Sequence, residues 1–76
     1  MLSRYITIPE LADFARNLKR IREERGITQE KLAEAVDLNV RSLQRIEHAK
    51  MNPLTTTLIR LQSALKCPWE DFFRKE

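Results

Sequence analysis

The chain has 76 residues, 42% of them hydrophobic and 33% charged, and a formal net charge of +3 at pH 7. This length suits one small domain, and one Gly with three Pro supply too few turns for an all-β fold. The single Cys excludes an internal disulfide, no Cys/His cluster suggests zinc, and no apolar run is long enough for a membrane span or a signal-peptide core. We therefore expect an all-α domain located in the cytoplasm.

The first helix is predicted over about residues 8–25. Residues 5–8 alternate like a short strand, but an isolated strand has no partner here. Thr7 and Glu10 instead have the spacing of a capping box, which indicates a helix start. Apolar side chains recur at helical spacing along one face, namely Leu11, Phe14, Leu18 and Ile21. Gly26 ends this helix, because a left-handed conformation is unstrained for Gly.

A second helix is predicted over about residues 28–36, with Thr28 as its N-cap. After a turn at Asp37, Asn39 caps a third helix over about residues 39–48. Helical periodicity divides the third helix into two faces. Leu43 and Ile46 point inward, and the opposite face carries Val40, Arg41, Gln44, Arg45 and His48.

The rest of the chain is predicted to form a loop and two more helices. Pro53 marks the loop, since Pro disfavours helical geometry in the residue before it. A fourth helix follows over about residues 55–66, with an apolar stripe of Leu58, Leu61 and Leu65. Pro68 interrupts the chain again, and a short apolar helix covers about residues 68–74.

Basic residues cluster in two stretches, residues 16–25 and 41–50. The first holds Arg16, Lys19, Arg20, Arg22 and Arg25, and the second holds Arg41, Arg45 and Lys50. Such clusters are typical of proteins that bind nucleic acids. Many small basic proteins bind none, so charge alone is a weak indicator.

A longer pattern is more specific. Gln29-x-x-Leu32-Ala33, then Val36-Asp37-Leu38-Asn39, then Leu43-x-x-Ile46-Glu47 resembles the helix-turn-helix of the phage repressor and Cro family, also called the XRE family. The resemblance covers residues 14–73. It implies one helix-turn-helix domain over residues 1–76, with the compact five-helix fold of lambda-repressor-like proteins.

The resemblance implies that the third helix enters the major groove of double-stranded DNA. The side chains expected to contact bases are Val40, Arg41, Gln44 and Arg45, because Arg can pair with guanine, Gln with adenine, and Val with a thymine methyl group. Gln44 could instead contact a phosphate. Those expected to contact phosphates are Gln29, Asn39, His48, Lys50, Asn52 and Arg16. The alternative is that this surface is an ordinary solvated helix face.

The resemblance also assigns structural roles and exposes two departures. Arg22 and Glu47 match a family pair that forms a largely buried salt bridge between the first and third helices. Asp37 and Ala49 stand where the family often has Gly. Asp tolerates left-handed geometry. Ala49 implies either that the third helix continues for a turn or that Ala49 is strained by about 1 kcal/mol.

No residue pattern indicates catalysis. His48 and Cys67 lack a second ligand or an acid/base partner at a useful spacing. His48 is interpreted as a surface or phosphate-facing residue, and Cys67 as a small buried apolar residue. We therefore expect no enzyme activity, metal, cofactor or small-molecule ligand.

The C-terminal aromatic residues support two interpretations. They could all cap the core of the monomer, or some could form a two-fold dimer interface, for which the candidates are Ile59, Trp69, Phe72 and Phe73. A homodimer would suit a palindromic operator. The sequence thus favours a dimeric DNA-binding transcriptional regulator. The alternative is a protein-interaction module or an antitoxin component with the same fold.

Overall fold

The computed structural model describes residues 9–75, and this part of the chain is helical without any strand. The helices are α1 (Pro9–Glu24), α2 (Gln29–Ala35), α3 (Val40–Glu47), α4 (Thr55–Leu65) and α5 (Trp69–Phe72). The expected all-α fold is confirmed, and each helix lies within its predicted range. The strand-like alternation of residues 5–8 and the Thr7 side of the capping box lie outside the described residues. Within residues 9–75 no helix is long and apolar enough to cross a membrane.

One core joins the helices. Helix α1 packs against α3 and α5, and α2 packs against α3 and α4. The buried apolar side chains of this core are Phe14, Leu18, Ile21, Leu32, Ala33, Val36, Leu43, Ile46, Leu61, Leu65, Cys67 and Phe72. Ala33 is among them because a small side chain lets α2 and α3 approach closely. The arrangement leaves the opposite face of α3 in solvent.

Side-chain caps fix where α2 and α3 begin. The Thr28 hydroxyl accepts a hydrogen bond from the Lys31 amide at 3.1 Å, and Asn39 Oδ1 accepts one from the Ser42 amide at 2.7 Å. Each cap satisfies an amide that the first turn of a helix leaves without a partner. Both predicted N-caps are therefore confirmed, and they set the short turn between α2 and α3.

Asn17 attaches the C-terminal segment to α1. Its side chain is buried, and Nδ2 donates to the carbonyl oxygens of Phe72 at 3.0 Å and Arg74 at 2.9 Å. The Phe72 ring lies 5.2 Å from the Phe14 ring, between centroids. A buried amide that satisfies two carbonyls fixes the end of α5 more specifically than apolar packing can.

Within residues 9–75, four turns contain a residue in the left-handed backbone conformation. Gly26, Asp37, Ala49 and Lys66 have φ angles of 68°, 60°, 58° and 52°. Gly26 and Asp37 were expected there. At Ala49 the structure selects the strained alternative, because α3 ends at Glu47 and the chain turns sharply, with the Lys50 amide donating to the Arg45 carbonyl at 2.8 Å. Lys66 ends α4 in the same way and was not anticipated.

We expect Ala49→Gly to raise the free energy of unfolding by about 0.5–1 kcal/mol. The substitution removes a backbone strain of about 1–2 kcal/mol from the folded state. It also raises the conformational entropy of the unfolded chain, which offsets this gain by about 0.4–1 kcal/mol. Urea denaturation measures the difference. Ala12→Gly, at an exposed position within α1, is the matched control and should lower stability by about 1 kcal/mol. Equal losses in both variants would show that the turn at Ala49 carries no strain.

Candidate nucleic-acid interface

The outward face of α3 is polar and exposed. Arg41, Gln44 and Arg45 are exposed, whereas Leu43 and Ile46 on the inner face are completely buried. Val40 is half-buried and packs against the core at the start of the helix. Positions 41, 44 and 45 share one side of a helix, so the predicted base-contacting side chains form one surface with two guanidinium groups.

Gln29 of α2 connects this surface to the interior. Its Nε2 donates to Glu47 Oε1 at 3.0 Å, and its Oε1 accepts from Gln44 Nε2 at 3.2 Å. One amide side chain therefore contacts both an outward and an inward residue of α3. Gln29 consequently restrains the orientation of Gln44 relative to α2.

The Arg22–Glu47 ion pair lies beneath this connection. Arg22 Nε contacts Glu47 Oε2 at 2.6 Å and Nη2 contacts Oε1 at 3.2 Å, with both residues buried. A third guanidinium donor, Nη1, reaches the Ile27 carbonyl at 2.9 Å. Two parallel contacts make a charge-assisted, bidentate pair. The negative charge of Glu47 is thereby compensated inside the protein.

The segment after α3 carries further exposed polar groups. His48 is exposed, and its Nδ1 lies 2.7 Å from the Gln44 carbonyl; because a carbonyl only accepts, this nitrogen donates. Lys50 and Asn52 are exposed in the same segment. Asn39 uses Oδ1 for its cap, so its Nδ2 is the atom suited to an external acceptor. These four residues flank both ends of α3.

Arg16 lies in a different environment. Its guanidinium donates to Asp13 at 2.8 Å and to the Arg74 carbonyl at 3.3 Å, where α1 meets the end of α5. The Arg16 hydrogen bond lowers the pKa of the Asp13 carboxyl. The expected phosphate contact of Arg16 stays a prediction, and these contacts group it with α5 instead of α3.

The candidate dimer residues separate into two groups. Phe72 is completely buried in the core, so its assignment to a dimer surface is wrong; Asn17 and the Phe14 ring fix it inside the monomer. Ile59, Trp69 and Phe73 are 52%, 43% and 42% exposed. Leu54 is 72% exposed. The sequence does not predict this exposure, because nothing in its position distinguishes it from a core leucine.

Comparison with known proteins identifies the family. A helix-turn-helix family model matches residues 18–72, which is more than half of the chain. The chain belongs to the helix-turn-helix family. Its type is that of the XRE and Cro proteins, which are DNA-binding transcription regulators. No protein of curated function matches it.

A solved helix-turn-helix protein has a similar structure. The restriction-modification controller protein C.AhdI from Aeromonas hydrophila aligns with a TM-score of 0.77 and 25% sequence identity. The alignment covers 83% of this chain and 96% of that one. The similarity therefore extends over nearly the complete controller protein.

The described residues contain no group of metal ligands, and the one cysteine is buried. Within residues 9–75 no three His, Cys, Asp or Glu side chains are grouped so that they could hold a metal ion. Cys67 is buried, and this burial raises the pKa of its thiol, so the thiol stays protonated and poorly nucleophilic. Helix-turn-helix regulators of this family are generally not enzymes.

We expect Arg22→Met to destabilise the helix-turn-helix domain by about 3–5 kcal/mol, because it leaves a buried carboxylate without a counter-ion. A second variant, Arg22→Met with Glu47→Met, should recover a large part of this loss. Arg74→Met is the matched control: it breaks an exposed pair with Asp71 and should change stability by less than about 1 kcal/mol. Denaturant titration of the three variants measures the effect. A double variant no more stable than Arg22→Met would contradict the argument.

Proposed function

We propose that this protein is a sequence-specific transcriptional regulator that binds operator DNA as a homodimer, with α3 in the major groove. The observation that carries the proposal is the exposed α3 face with Arg41, Gln44 and Arg45, braced by Gln29 and anchored through Glu47. A helix that contacts bases in the major groove needs a fixed orientation relative to the rest of the domain. The chain then acts in the cytoplasm, where its operator is accessible.

Each side chain of this face has a defined base preference. Arg41 and Arg45, one turn apart, each suit the O6/N7 edge of a guanine, and Val40 suits a thymine methyl group. One Nε2 hydrogen of Gln44 goes to Gln29, which leaves the second N–H and Oε1 for a base. A donor and an acceptor on one amide suit adenine, which offers N7 as an acceptor and N6 as a donor.

Phosphate contacts would fix this helix in its register. Gln29 at the start of α2, Asn39 and His48 at the two ends of α3, and Lys50 and Asn52 beyond it are the candidates. Arg16 is a more distant one. Contacts of this type position a protein without reading sequence. Because they come from both sides of α3, they would hold the helix along the groove.

The homodimer is supported by the exposed apolar side chains, and it would suit a palindromic operator. Ile59, Trp69 and Phe73 expose large apolar groups, which is typical of interaction surfaces. A two-fold dimer would place two α3 helices on half-sites about one helical turn apart. The similarity to a restriction-modification controller protein favours a regulatory role.

A protein-interaction module or an antitoxin component is the second candidate, and the same apolar side chains favour it. Such a module would use Trp69 and its neighbours to dock a protein and would not need two arginines on α3. DNA selection by the purified protein therefore distinguishes the two functions.

We expect Arg41→Ala to relax the preference at one base pair per half-site and to weaken specific binding by about 1–3 kcal/mol. Lys50→Ala should weaken all duplexes alike and reduce the salt dependence. Lys75→Ala, which removes the same charge from a residue paired with Asp13, is the control and should do neither. Selection from random duplexes followed by gel-shift titration measures this. If no duplex is preferred and neither Arg41→Ala nor Lys50→Ala changes the affinity for DNA, the proposal is wrong.

We expect the free protein to sediment as a reversible dimer at micromolar concentration. Trp69→Ser should shift it toward monomer, because the substitution removes a large apolar contact. Lys19→Ser, at an exposed position on α1, serves as the control. Sedimentation velocity over a concentration series provides the measurement. A monomer at high micromolar concentration, both free and on DNA, would contradict the dimer.

A further inference from the structure

His48 directly follows the last residue of α3. It is the C-cap of that helix, it is exposed, and it is the only histidine of the chain. An imidazole ordinarily changes charge between about pH 5 and about pH 8. Cys67, whose side chain could also titrate near this range, is buried, and this burial raises the pKa of its thiol. Among the candidate phosphate contacts, His48 is therefore the one whose charge depends on pH near neutrality.

One nitrogen of the His48 ring is already engaged within the protein. Nδ1 lies 2.7 Å from the carbonyl oxygen of Gln44, and because a carbonyl only accepts, the proton of a neutral ring is held on Nδ1. Nε2 of the neutral ring then has a lone pair and no hydrogen. An ionised phosphate oxygen also only accepts, so neutral His48 has no donor for a phosphate. Nε2 becomes a donor only when the ring gains a second proton and, with it, a positive charge.

The surroundings of His48 leave such a charge available to an external anion. Arg45 and Lys50 are its cationic neighbours in sequence, and the Glu47 carboxylate is buried in its pair with Arg22 of α1. Among residues 9–75 no carboxylate forms an ion pair with the His48 ring. This includes the charged side chains of α2, which also packs against α3; they are Glu30, Lys31 and Glu34. The terminal carbonyls of a helix favour a cation at this position.

We propose that His48 makes DNA binding dependent on pH, because the protonated ring donates Nε2–H to a backbone phosphate and the neutral ring cannot. This inference rests on the proposed function, since it requires α3 to lie on DNA, and it adds a regulation of the same surface. DNA binding then takes up as much as one proton at His48. By linkage, affinity for DNA is highest where the ring of the free protein is already protonated. It falls as the pH rises through the range in which the DNA-bound ring loses its proton.

Titration of the full chain with a mixed-sequence duplex, followed by fluorescence anisotropy of the DNA, measures the effect. No operator is needed, because a phosphate contact does not depend on sequence. We expect affinity to rise about fivefold from about pH 8 to about pH 6. The slope of log affinity against log salt concentration should become steeper by up to about 0.9, the value for one added phosphate contact. Equal affinities and equal slopes at the two pH values overturn the proposal.

Three variants assign the effect to His48. His48→Gln can still donate to the Gln44 carbonyl but stays neutral, so it should lose the pH dependence and keep the shallower salt slope. His48→Lys is charged throughout this pH range and should show the steeper slope at both pH values. Lys50→Gln is the control, which should bind more weakly at both pH values and retain the pH dependence. If His48→Gln loses its helical circular dichroism, His48→Asn replaces it. A pH dependence that survives in the neutral variant overturns the proposal, as does a His48→Lys slope no steeper than that of the neutral variant.

Nuclear magnetic resonance of the His48 ring distinguishes a contact to DNA from a pH effect on the fold. The ring should keep its second proton to a higher pH in the complex with the duplex than in the free protein. Identical titrations with and without DNA overturn the inference and leave recognition by Arg41 and Arg45 untouched. A protein that shows the expected pH dependence but prefers no duplex supports the inference and contradicts the proposed sequence-specific regulator.

Discussion

The buried contact between Arg22 and Glu47 holds three elements of the fold together. Helix α3 has only eight residues, which is too short to be stable alone in water. Arg22 attaches it to α1, and the same guanidinium holds the Ile27 carbonyl between α1 and α2. The Glu47 carboxylate also accepts from Gln29 at the start of α2. The orientation of α3 therefore depends on a few charged hydrogen bonds as well as on apolar packing.

Local signals in the sequence predict most of the fold. Thr28 and Asn39 cap helices because their side chains bond amides three residues away, and Gly26 and Asp37 turn the chain because of their own conformational preferences. Interactions of this range are encoded within a few residues. The outward polar face of α3 is predictable for the same reason, since helical periodicity assigns Arg41 and Arg45 to one side without knowledge of tertiary structure.

The features that the sequence did not predict depend on contacts between distant segments. Phe72 and Phe73 are neighbours in a short aromatic stretch, and only the packing of α5 on Phe14 and Asn17 decides which ring is buried. Asn17 reads as an ordinary polar residue of α1, yet it bonds carbonyls 55 and 57 residues away. Leu54 reads as a core leucine although it points into solvent. No local sequence pattern predicts which surface a short terminal helix will cover.

In the proposed complex with DNA, base recognition would not depend on α3 alone. The Gln44 amide is oriented by Gln29 of α2, and Gln29 is in turn bonded to Glu47, whose charge is compensated by Arg22 of α1. Transfer of the α3 sequence to a scaffold without Gln29 would remove the hydrogen bond that orients the Gln44 amide. The side chains proposed to select a base and those that orient Gln44 therefore lie on different helices. We expect Arg41 and Arg45 to tolerate substitution with little loss of stability, whereas changes at Gln29 or Glu47 would affect stability and the proposed recognition together.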